Sequence, residues 1–195
     1  MRRAPCTAIG LAAFLPAMAQ GHVSVETVAV LAGALHPWVN ADSMLVLAGL
    51  SLWLAQAESV TEIRPFVVLG LALAAGVAIG LRLDGVAPTW PIHCLAAAAG
   101  LCTALSWRPL PAVQWLGVGV ASLTSGVYAG IDAAADVRSP VAFVTGALFG
   151  GLIMPLSLAA AMPAQPSRLL QTGVRVLGSW LAATGLMLAA LRWSV

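Results

Sequence analysis

Along the chain, long apolar runs alternate with short patches that carry proline, glycine or charge, and this pattern predicts helices of membrane-spanning length. The runs fall at about 25–56, 65–83, 90–106, 111–131, 140–161 and 168–192. The patches between them hold Glu58 to Arg64, Arg82 and Asp84, Trp107-Arg108-Pro109, Asp132 to Arg138, and Met162-Pro163 to Pro166. The expectation is an all-α integral membrane bundle of about six transmembrane helices. The first run is too long for one straight span. His36-Pro37, with Asn40 close behind, predicts a break that divides it into a short half-helix and a full helix.

The start of the chain reads differently. Met1-Arg2-Arg3 is basic, Ala8 to Met18 is apolar, and Ala17-Met18-Ala19 places small residues where signal peptidase cleaves. Residues 1–19 are therefore expected to be a cleaved signal peptide, leaving 20–195 as a single six-helix transmembrane domain. The alternative is an uncleaved anchor helix, against which stands an apolar core short for a hydrocarbon layer of about 30 Å. Arginine placement discriminates little, since Arg64, Arg108 and Arg168 fall on one side of a six-span arrangement and Arg82, Arg138 and Arg192 on the other. The signal-peptide reading sets the mature N-terminus outside a bacterial inner membrane, the 57–64 loop inside and the C-terminus outside.

Composition agrees with the bilayer, because 61% of residues are hydrophobic and only 8% charged, and mean hydropathy is +0.96. All nine basic residues are arginine, and a formal net charge of +2 leaves no electrostatic footprint for a nucleic acid. Trp90, Trp107, Trp115 and Trp193 lie near predicted helix ends and read as interfacial anchors. Gly76 and Gly80, Gly126 and Gly130, and Gly146 and Gly150 are GxxxG pairs, which predict close helix approach. Cys6 falls in the signal peptide, and Cys94 and Cys102 share one span, so no disulfide framework is expected. The two read as free, buried thiols that pack as small hydrophobes, a thiolate metal site being the other reading.

Groups able to bind a metal ion are few: His22, His36 and His93, Asp42 and Asp132, and Cys94. His36 precedes the predicted break, where backbone carbonyls lose their partners. Asp42 follows it, where the helix dipole favours a negative charge, although a plain helix cap would serve the same position. His22 sits two residues into the mature chain, where an α-amine beside it could complete a small chelate. His93 reads first as a hydrogen-bonded packing residue and second as a ligand. The sequence holds no Ser-His-Asp order, no His-Glu-x-x-His and no glycine-rich phosphate loop, so an enzyme is not expected, and with three histidines neither is a multi-haem or copper cofactor.

Gly21-His22, Gly33-Ala34-Leu35-His36-Pro37, Asp42, Met44 and Gly49-Leu50-Ser51-Leu52-Trp53 together resemble the N-terminal pattern of the HupE/UreJ family of hydrogenase and urease accessory membrane proteins. The family motif of His-Pro, two residues, Gly, one residue, Asp-His is matched at His36, Pro37 and Asp42, with Asn40 in place of the glycine and Ser43 in place of the second histidine. A second family motif is similar to residues 124–132 only in Gly126, Gly130 and the acidic Asp132, with Ser125 and Ala129 where it has histidines. The resemblance implies a six-span permease carrying Ni²⁺ or Co²⁺ toward metalloenzyme assembly. His22, His36 and Asp42 would form an outer metal site, with Asp132 deeper or near the opposite repeat. It further implies metalloenzyme maturation proteins or membrane subunits as partners, beside the lipid and the divalent ion. The substituted histidines motivate a second expectation, a non-transporting membrane scaffold or accessory subunit that keeps this fold.

Overall fold

The computed structural model describes residues 25–56, 63–83, 88–163 and 166–193; the expected signal peptide and His22 lie outside them. The described residues form seven helices: α1 (Val25–Val39), α2 (Ala41–Ala55), α3 (Arg64–Gly80), α4 (Trp90–Ala104), α5 (Pro111–Ala133), α6 (Pro140–Ala161) and α7 (Arg168–Trp193). Helices α3 to α6 each begin with a proline at the first or second position, where its missing N–H deprives the helix of nothing.

The break falls at Asn40 and not at His36-Pro37. Pro37 lies within the last turn of α1, and the Asn40 amide still reaches the His36 carbonyl at 3.0 Å. Asn40 then turns extended, and its side-chain oxygen accepts the Ser43 N–H at 3.0 Å, capping α2. The two helices differ in direction by 73°. Each has 15 residues, so the expected short half-helix and full helix are equal arms. Asparagine decides the position because it satisfies an orphan N–H of the new helix, whereas a proline so near a C-terminus removes only one hydrogen bond.

Glycines set the packing. Gly76 and Gly80 of α3 lie against Gly126 and Gly130 of α5 so closely that a Cβ at Gly76 would come within 2.9 Å of the Val127 nitrogen. Gly146 and Gly150 of α6 face Val30 and Ala34 of α1 in the same manner, and Gly100 of α4 meets Gly178 and Ala182 of α7. All three expected GxxxG pairs thus form backbone-to-backbone contacts. Helix α2 runs up the middle and is buried nearly all round from Val46 to Ala55. Its Val46, Leu50 and Trp53 form the main core with Leu69, Ile92, Ala96 and Val118.

Helices α6 and α7 are long and apolar enough to cross a membrane, and the bent pair α1 and α2 makes a third if taken as one span. Helices α3 and α4 are apolar but only 17 and 15 residues long, or roughly 25 Å at 1.5 Å per residue. Apolar side chains face outward throughout, with Val141 79%, Leu71 69% and Trp180 67% exposed, as suits a surface wetted by lipid. Trp90 meets Trp193 edge-on and Trp53 stacks on Trp107, so three of the expected anchors close the helix ends against a neighbour or an indole.

Candidate functional site

The break places four chemically capable side chains at one end of the bundle. His36 closes α1, Asp42 opens α2, His93 opens α4 and Asp132 closes α5. The parallel packing of α2 on α4 carries Asp42 to His93: Gly49 lies on Ala99 and Gly100, and the Thr103 hydroxyl donates to the Gly49 carbonyl at 3.2 Å. Two turns earlier on both helices, His93 Nε2 stands 2.9 Å from Asp42 Oδ1. With an ionised carboxylate as acceptor this nitrogen donates, and in a neutral ring Nδ1 is then the nitrogen that offers a lone pair.

His93 is 1% exposed, and its Nδ1 has no hydrogen-bond partner. A ring fixed through one nitrogen by a carboxylate, with the other nitrogen bare, is how metal-binding imidazoles are oriented. His36 repeats half of this pattern. Its Nε2 is also buried and unpartnered, while its ring lies edge-on to Phe143 at 5.8 Å between centroids. Trp38 Nε1 donates to the Gly150 carbonyl at 3.2 Å, fixing the end of α1 on α6.

Asp132 lies near a helix C-terminus, where the dipole disfavours an anion. Asn40 offsets this by donating through Nδ2 to Asp132 Oδ2 at 2.8 Å. One asparagine therefore caps α2 through its oxygen and joins α1 to α5 through its nitrogen. The Asp132 carboxylate lies within electrostatic range of His36, and that of Asp42 within range of Tyr128. The C-terminal ends of α1 and α5 and two carboxylates favour a cation here, set against the N-terminal ends of α2 and α4 and the nearby Arg82, Arg138 and Arg192.

Of the residues expected to bind metal, the structure brings His36, Asp42 and Asp132 to one end, and His22 lies outside the described residues. It adds His93, for which packing was the first expectation. The signal that identifies it is the register of α2 on α4, which no stretch of sequence near His93 carries. Among the described residues, no three His, Cys, Asp or Glu side chains converge into an ion shell. They stand in pairs. Cys94 is exposed and Cys102 half-buried, both as free thiols, so the expectation of buried thiols is corrected at Cys94. It points off the α4 face that carries His93, because neighbouring residues on a helix do not share a face.

No protein-family model matches this sequence, and no curated protein or solved structure matches it.

Proposed function

We propose that this chain is a divergent secondary transporter for a divalent transition-metal ion, Ni²⁺ or Co²⁺, that supplies metalloenzyme assembly. One observation carries the reading: two imidazole nitrogens, His36 Nε2 and His93 Nδ1, are buried without partners at a helix break flanked by two carboxylates. A buried nitrogen without a hydrogen bond costs about 1–3 kcal/mol. A borderline divalent ion is the ligand whose coordination preference matches imidazole with carboxylate. The likeness of residues 21–53 to the HupE/UreJ pattern supports the same cargo. In this proposal the chain crosses a bacterial inner membrane six times, with the bent pair as the first span and the break end outside. His36 and His93 receive the ion, with Asp42 orienting the His93 ring and His22 and Asp132 contributing. Helix arms that meet at a break can move against each other, and such movement would bring the paired groups into one shell.

The test is uptake of ⁶³Ni or ⁵⁷Co by cells expressing the chain, compared with vector control. Accumulation above control supports transport; none, with the protein present in the membrane, overturns it. Within an active protein, Asp42→Asn is expected to lower uptake more than Asp132→Asn. Asp42 fixes the His93 ring, and losing such a partner costs about 10–100-fold in metal affinity. Among the described residues, the hydrogen bond that Asp132 accepts comes from Asn40. Equal or reversed losses would contradict this assignment.

The pairwise arrangement of the ligands favours a second reading, an accessory membrane subunit in which the same groups serve only to hold helices together. Folded, membrane-inserted protein that neither binds nor accumulates either ion is the result that selects it.

A further inference from the structure

At the end of the bundle opposite the break, Arg64, Arg108, Arg168 and Arg175 lie without a described carboxylate, whereas toward the break end Arg82, Arg138 and Arg192 share the surface with Glu26, Asp42, Asp132 and Asp136. Helix α7 runs antiparallel to α4, with Gly178 against Thr103 and Ala104. Its first residues therefore pass beyond the end of α4 and form an overhang. Residues 168–173 are exposed all round, Leu169 is 84% exposed, and nothing lies within 4 Å of where a Cβ on Gly173 would point.

Arg168 and Arg175 lie two turns apart on one face of this overhang, roughly 10 Å along the axis. Helix α4 ends beneath them. Ser106 takes a positive φ of 50°, and the Ser106 and Trp107 amides return to Thr103 and Cys102 at 3.0 and 2.9 Å, turning the chain directly ahead of Arg108. Arg175 Nε donates to the Ala104 carbonyl at 2.9 Å. That bond fixes the guanidinium plane through one of its five N–H groups, and the terminal nitrogens belong to an exposed side chain. The exposed side chains around these cations include the apolar Leu101, Leu105, Trp107, Leu169 and Leu177 beside the polar Ser167, Gln171 and Thr172.

We propose that this ledge of Arg108, Arg168 and Arg175 binds the phosphate headgroup of an anionic phospholipid. The guanidiniums pair with phosphate oxygens while the flanking leucines and Trp107 lie along the acyl chains. Guanidinium geometry suits a phosphate, and the mixture of fixed cations with lipid-facing apolar groups suits a phosphate that is covalently attached to a lipid. A soluble anion would gain nothing from the apolar rim.

Native mass spectrometry of the purified full chain in neutral detergent tests this, with added cardiolipin, phosphatidylglycerol, phosphatidylcholine or inorganic phosphate. Anionic lipid is expected to be retained over phosphatidylcholine. Affinity should fall about fivefold for each arginine removed, in Arg108→Gln, Arg168→Gln and the Arg168→Gln, Arg175→Gln pair. Arg82→Gln with Arg192→Gln, at the opposite end, should leave it unchanged. Arg168→Gln keeps the result interpretable if loss of the Arg175 bond to Ala104 destabilises the fold. Equal retention of phosphatidylcholine, an equal loss in the Arg82 and Arg192 control, no loss in Arg108→Gln and Arg168→Gln, or displacement by millimolar inorganic phosphate would overturn the proposal.

Discussion

Gly146→Val is expected to abolish the folded bundle as a well-defined species. A Cβ at this position would be driven into the Val30 carbonyl oxygen and would stand 2.9 Å from the Ala34 nitrogen. Both obstacles are backbone atoms, so no rotamer change relieves them and α1 must leave α6. Small-to-large changes in a packed interior cost about 1–3 kcal/mol where side chains can adjust. Here adjustment requires moving a helix, and the cost belongs at or above the top of that range. Separation would also undo the Trp38 bond to Gly150 and the seat of His36 on Phe143. Thermal unfolding in detergent, read by loss of the monodisperse peak, should show the Gly146→Val protein melting well below the parent or aggregating at extraction. Gly173→Ala is the matched control. It has open space at its Cβ position, and a helical alanine in place of glycine adds about 1 kcal/mol of helix propensity. A Gly146→Val protein as stable as the control would mean that α1 is not held by this glycine seam.

The contrast between these glycines shows what could be read along the chain. The spacing of Gly76, Gly126 and Gly146 with their partners foretold close helix approach, because two small residues one turn apart have no other strong use on an apolar helix. It did not say which helices meet, since glycine carries no directional group. The interruption of the first run was legible to within a few residues. Proline drew attention to His36-Pro37, whereas the capping bond of Asn40 decided the position. The polar groups at the apolar edges, His36, Asp42 and Asp132, were legible one by one as costly residues in such a chain. Their pairing was not. Asn40 finds Asp132 across 92 positions and Asp42 finds His93 across 51, and such distances are bridged only once helix register is fixed. His93 carries no local mark of function, because an imidazole near a helix start looks the same whether or not a carboxylate waits on the next helix.

His93→Ala therefore distinguishes a binding group from a packing group, and in the transport proposal it should lower Ni²⁺ affinity at least about 100-fold, as expected when a first ligand and its orienting carboxylate are both put out of use. Uptake should fall to vector level. Isothermal titration of the purified protein supplies the affinity, and the melting temperature measured beside it separates binding from folding. Alanine at a site 1% exposed leaves a cavity and an unpaired Asp42, so some loss of stability is expected in any case. His93→Gln addresses this. The glutamine side chain reaches Asp42 with an N–H, keeping the α2 to α4 tie, and presents no aromatic nitrogen lone pair. If His93 is a ligand, His93→Gln should regain the parent melting temperature but not its metal affinity. If His93 only ties two helices, His93→Gln should restore both. His36→Ala completes the comparison: its Nε2 is buried without a partner, so its removal breaks no hydrogen bond of that nitrogen, and a loss of binding at an unchanged melting temperature reports the missing imidazole and not the lost contact with Phe143.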